Sequence, residues 1–159
     1  MKKYIISILV QNNFGVLARV SNLFARRCYN IHSLTVSPTN DPTVSKITVV
    51  VMGDDQIAER VLKQVSKLEE TIEVMQMEED EALCKELVLV KILTPSSETC
   101  SQVSKIVEDF HAKMLRVATD YMTVELTDVP SKVESFVEEL NQFQIKDMCC
   151  TGVTALESK

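Results

Sequence analysis

Apolar positions along the chain change period repeatedly, and each change marks an element. Residues 3–10 (KYIISILV) are dense in β-branched and apolar side chains, which predicts a strand buried on at least one face. From Gly15 the spacing becomes helical. Val16, Leu17, Val20, Leu23 and Phe24 form one stripe with Arg19, Asn22 and Arg26 opposite, and Asn13 is read as the cap. The β-rich NIHSLTVSP follows, closed by Pro38, then the turn TNDP and a further strand, VSKITVVVMG, ending at Gly53. Asp54 caps a second helix in which Ile57, Val61, Val65 and Leu68 recur, with Glu59 and Lys63 as an i,i+4 pair. TIEVMQM supplies a fourth strand.

The same order then repeats after the acidic stretch EEDEA, read as a linker. ELVLVKIL is a strand; Pro95 and the serines after it start a helix striped by Cys100, Val103, Val107 and Phe110. KMLRVA and YMTVEL are strands around an Ala118-Thr119-Asp120 turn, and Ser131 with Glu134 reads as a capping box for a helix bearing Val133, Phe136, Val137 and Leu140. IKDMCCTGVTAL is read as one final strand. Two copies of β-α-β-β-α-β predict an α+β chain of two ferredoxin-like domains in tandem, at 1–78 and 84–159, with 79–83 between them. Each unit makes a four-stranded antiparallel sheet with both helices on one face. The uncovered face then calls for domain packing or for dimers through sheet edges and helices.

Composition narrows the partners. The chain has 45% hydrophobic and 25% charged residues, a globular balance, and its apolar runs fall far short of the roughly 20 residues of a membrane span. MKKYIISILVQNN has a signal-peptide look, but its apolar part is short and no small-x-small site follows, so we read it as the first strand of a cytoplasmic protein. Five cysteines without a regular framework suit a reducing compartment. Net charge is −6, with −1 in residues 1–80 and −5 in the remainder, which argues against nucleic acid as a partner. The basic clusters are small: Arg26-Arg27 with Arg19, and Lys2-Lys3. An RNA-recognition module on this topology would need stacking aromatics on its central strands, and here those strands hold one tyrosine.

Catalytic equipment is sparse. No C-x-x-C pair occurs, Cys28 and His32 have no second pair to complete a metal site, and Cys149-Cys150 reads as two small strand residues. Neither G-x-S-x-G nor a phosphate-binding glycine loop can be built from glycines at 15, 53 and 152. The turn QNNFGVL stands out instead. A helix start offers unpaired N–H groups and a partial positive charge, a glycine lets a ligand backbone come close, and an asparagine amide can serve both ends of an amino acid. Asn and Gly are also ordinary turn residues, so the residues alone leave ligand and turn readings open.

The N-x-x-G-x-L-x-R-V turn and helix, the YNIHSLTVSPT strand and DPTVSKIT after it resemble the N-terminal ACT domain of the regulatory (small) subunits of acetohydroxyacid synthase, also called acetolactate synthase. ELVLVKI resembles the start of that family's C-terminal domain, so the likeness spans almost the whole chain. The resemblance implies a non-catalytic subunit that binds and activates the large subunit and confers feedback inhibition by valine or another branched-chain amino acid. The effector would sit where two ACT domains of a homodimer meet. Asn12 and Gly15 would form the effector turn with the amides of Val16 and Leu17, Asn30 would come across the dimer interface, and Leu17 and Ile31 would flank the ligand's apolar group. No cofactor is expected in this chain; thiamine diphosphate, magnesium and FAD would belong to the large subunit. The chain departs from the family at Cys28, where glycine is common, and at Phe14, where a small residue is. A stand-alone tandem-ACT amino-acid sensor is the rival reading, and a small cysteine enzyme a more distant one.

Overall fold

A computed structural model describes residues 2–77 and 82–158. The first half folds as β1 (Lys2–Gln11), α1 (Val16–Arg26), β2 (Ile31–Pro38), β3 (Val44–Gly53), α2 (Asp55–Val65) and β4 (Thr71–Met77). The second half gives β5 (Ala82–Leu93), α3 (Ser97–Asp109), β6 (Lys113–Val117), β7 (Tyr121–Asp128), α4 (Pro130–Leu140), β8 (Ile145–Cys150) and β9 (Thr154–Glu157). Both sheets are antiparallel: β2-β3-β1-β4 in the first, and β6-β7-β5-β8 in the second, with β9 also pairing β5. The strand order is the same in both copies. Of the expected linker, residues 79–81 lie outside the described residues, while Ala82 and Leu83 open β5.

Alternation along the central strands divides the side chains between two environments, as the two-residue period requires. Tyr4, Ile6, Ile8 and Val10 of β1 meet Ile47, Val49 and Val51 of β3 beneath Val16, Val20 and Phe24 of α1 and Ala58, Val61 and Val65 of α2. In the second half Val88, Val90 and Ile92 play that part against Val103, Val107, Val133, Phe136 and Leu140. The chain divides into two compact units, Met1–Cys84 with Val153–Lys159, and Lys85–Gly152. The chain's last strand therefore goes with the first unit. There Val153 and Ala155 pack with Cys84, Met77, Ile5 and Val50 on the side of the first sheet away from its helices. The cover for that side thus comes in part from the same unit, an arrangement the sequence pattern did not suggest.

Helix ends repeat as well. Cys28 (φ 55) and His111 (φ 56) are the two non-glycine residues at positive φ among those described. Each sits just past a helix, and each end closes by the same pair of bonds: Cys28 N–H to Ala25 O and Tyr29 N–H to Phe24 O after α1, His111 N–H to Glu108 O and Ala112 N–H to Val107 O after α3. This is the Schellman pattern. Its usual apolar clasp is present too, with the Phe24 and Tyr29 rings edge to face at 6.5 Å. The conformation that glycine normally supplies is therefore held here by cysteine, and the chain still turns into β2.

Three expectations needed correction. Asn13 does not cap α1: its side chain donates to Gln11 Oε1, and the N-cap residue is Gly15 in the left-handed region with no side-chain bond. Ser131 and Glu134 form no capping box, because the N-cap of α4 is Val129, two residues before Ser131, and Pro130, whose fixed φ suits it, takes the first helical position. IKDMCCTGVTAL is two strands, broken where Gly152 takes φ 79. Asp54 does cap α2, accepting from Ile57 N–H at 2.9 Å. Gly53 before it leaves room for the helix, since a β-carbon there would lie 2.9 Å from Ile57 Cδ1 and 3.1 Å from its Cβ.

Candidate functional site

The turn from β1 into α1 is fixed from the strand side. Asn12 N–H donates to Thr43 O at 2.7 Å and its side-chain amide to Pro42 O at 2.9 Å, while Gln11 N–H reaches Glu70 O. The 41–43 loop that holds Asn12 is itself tied by Asp41, whose carboxylate accepts from the Thr43 hydroxyl and amide. Those two bonds, the hydroxyl's first, keep the Asp41 carboxyl below its usual pKa. Asn13 N–H folds back to Gln11 O, and Gly15 at φ 81 then swings the chain into the helix. A conformation that disfavours a β-carbon explains glycine at this position.

What the turn leaves open is the start of α1. The first turn carries no acidic residue and no side-chain cap. The Val16 amide is taken weakly, by Asn13 O at 3.4 Å. No described group accepts from the amides of Leu17 and Ala18, the second and third helical positions. The corresponding helix of the second unit is closed, because Ser96 Oγ accepts from Thr99 N–H at 3.2 Å. Unsatisfied amides at the positive end of a helix make an anion seat.

The start of α1, through Gly15, Val16 and Leu17, borders a cavity of about 260 Å³. Asn12, Asn13, Gly15 and Leu17 form its polar and helical side; Val10, Val36 and Ile47 supply apolar walls, with the buried Ser45 beside them. Volumes of about 300–1,000 Å³ suit drug-sized ligands, so this one fits something the size of an amino acid. Phe14 also borders the opening, but its ring is fully exposed and does not fill it. Val36, Ser45 and Ile47 are lining residues that sequence reasoning missed. They arrive through strand register, Val36 opposite Ile47 and Ser45 opposite Val10, which no local motif encodes.

Asn12, Gly15, Val16 and Leu17 are thus brought together within one chain. Asn30 and Ile31 are not among them. Ile31 pairs with Val51 at one end of β2, whereas Pro38 pairs with Ser45 at the end beside the cavity. Seven residues at strand rise separate those ends by roughly 23 Å. Asn30 is exposed, and Ile31 is half-buried against the first unit's core.

Other chemistry is thin on the ground. Among the described residues no three of His, Cys, Asp and Glu converge as metal ligands. The Cys150 thiol donates to Glu86 Oε1 at 2.9 Å; partial burial and that carboxylate push its pKa up, away from thiolate reactivity. No described helix is long and apolar enough to cross a membrane.

The fold and the turn define a tandem α+β protein whose first unit is an ACT domain. The AHAS small subunit-like ACT domain matches residues 6–73, and the small subunit of acetolactate synthase matches residues 85–159. Among curated relatives, the acetolactate synthase small subunit of Aquifex aeolicus is 38% identical over 156 residues, covering 98% of this chain and 81% of its own. The acetolactate synthase isozyme 3 small subunit of Salmonella typhimurium is 35% identical, covering 96% and 93%. A crystal structure of the acetolactate synthase small subunit from Thermotoga maritima superposes with a TM-score of 0.89 at 33% identity, covering 100% of this chain and 99% of that one. The chain belongs to the acetolactate synthase small-subunit family.

Proposed function

We propose that this chain is the non-catalytic regulatory subunit of a cytoplasmic acetolactate synthase, activating a large subunit that carries thiamine diphosphate, magnesium and FAD, and conferring feedback inhibition by valine or a related branched-chain amino acid. The observation that carries the effector site is the uncapped start of α1 at the edge of an amino-acid-sized cavity. In this reading the ligand carboxylate takes the amides of Leu17 and Ala18, Asn12 Oδ1 faces its ammonium, and its isopropyl group enters the apolar walls beside Leu17 and Val36.

Asn30 and Ile31 join through a second copy. β2 is an edge strand, and its Val36 and the Leu17 of α1 are exposed. Two β2 strands pairing antiparallel about a two-fold axis near Leu34 put residue 30 of one copy against residue 38 of the other. That brings Asn30 and Ile31 of the second copy to the cavity end of β2, so each homodimer would complete two sites. Valine alters activity only so far as it binds one dimer arrangement better than another. The second unit would anchor the large subunit.

The reading is tested by mixing. The purified chain alone has no acetolactate synthase activity, raises that of its cognate large subunit, and makes the complex valine-sensitive. Turnover by the chain alone overturns it. Failure to bind the large subunit while still binding valine favours the stand-alone sensor.

A further inference from the structure

Arg19, Arg26 and Arg27 line one cavity of about 400 Å³, whose other walls are Asn22, Leu23, Gln64 and Leu68. No carboxylate lines it. In a chain of net charge −6 this is a concentrated exception. Arg19 and Arg26 each have a local circumstance of their own. Arg19 pairs with Glu70 at 2.5 Å and reaches Phe14 O at 3.5 Å; Arg26 stands in the last turn of α1, where the helix dipole favours a cation. Neither circumstance requires guanidinium groups to share a cavity. No described acid pairs with Arg26 or Arg27, and like charges held together are mutually destabilising until an anion offsets them.

Spacing narrows the ligand. Arg19 and Arg26 lie seven residues apart, two turns and about 10.5 Å along the same side of α1. A guanidinium fork grips two oxygens of one phosphate or carboxylate. One compact anion would engage one fork, whereas a molecule bearing two or more anionic groups engages several. Leu23 and Leu68 give its carbon skeleton apolar contact, the Asn22 and Gln64 amides add hydrogen-bond capacity, and the volume lies within the range of small-molecule sites. We propose that this groove binds a small multivalent anion, an organic phosphate or polycarboxylate, independently of the effector reading above.

Isothermal titration of the purified chain with inorganic pyrophosphate, and separately with citrate, tests the proposal. Saturable binding of at least one anion is expected, weakening with added salt because the groups are exposed. The stronger of the two identifies the anionic group preferred. The Arg26→Gln/Arg27→Gln double variant should weaken it by about tenfold or more, as expected for lost charge-assisted bonds. Lys2→Gln/Lys3→Gln removes the same charge elsewhere in the unit and should leave affinity within about twofold. Circular dichroism checks that both variants fold. Absence of saturable binding for both anions, or equal weakening in the two double variants, overturns the proposal.

Discussion

Gly15→Asp places a carboxylate where the ligand's own carboxylate is proposed to sit, at the N-cap position of α1. Its cost to the fold is small. An L-residue at φ 81 pays left-handed strain of about 1–2 kcal/mol, with Asp at the lower end. A β-carbon at Gly15 meets nothing nearer than Arg19 Nη1 at 3.8 Å, an ordinary contact. An acidic group at the helix start returns about 0.3–1 kcal/mol through the dipole, so the net loss is under about 1 kcal/mol. Binding suffers more. Two carboxylates about 4 Å apart repel by about 1 kcal/mol in a water-like medium and about 4 kcal/mol in a surface-like one. Valine affinity should therefore fall between about fivefold and several-hundredfold. Titration calorimetry reads the affinity, a thermal melt reads the fold, and Gly15→Ala, which adds the strain without the charge, should keep binding within a few fold. Unchanged valine affinity in Gly15→Asp, with the protein folded and dimeric, would refute this placement of the site.

Cys28→Gly relieves a left-handed cysteine at a Schellman end, so the melting temperature should rise, by the equivalent of about 1 kcal/mol at most. Val36→Lys sets a charge on the edge strand β2; sedimentation should show the proposed dimer weakened about tenfold or more, with valine binding lost alongside it. Asp128 is held well below the usual carboxylate range by Lys132 first, then Lys85 and the Val129 amide. A depressed folded pKa contributes stability above the unfolded value of about 3.9 and loses it as pH falls below that. Asp128→Asn should thus cost about 1 kcal/mol at neutral pH in denaturant titrations, since its lysine partners are more than a third exposed, and the gap should shrink below about pH 4.

Much of the molecule was legible residue by residue. Period and capping are local properties, so β3 matched its expected span, Asp54 capped α2, and Glu59 met Lys63 at 2.7 Å. The doubled βαββαβ order followed from the same periods. The QNNFGVL turn was marked by Gly15, because only a position needing positive φ or close approach makes glycine worth its entropy there.

Tertiary structure decided what local preference leaves degenerate. Asn13 is a good cap by type, yet its amide finds Gln11 and leaves the helix start open. Cys28 and His111 do a glycine's work because the apolar clasps Phe24–Tyr29 and Val107–Ala112 hold conformations that their own backbones disfavour. Val36, Ser45 and Ile47 reach the cavity through pairing across β1, β2 and β3, between residues far apart in the chain. The last strand packs with the first unit because Val153 and Ala155 find apolar cover against Ile5 and Val50. Sequence by itself determined the elements, their repetition and the marked turn, since these depend on neighbours within a few residues. Which amides stayed unpaired, and which side chains enclosed them, depended on packing over long separations, where many sequences satisfy the same pattern.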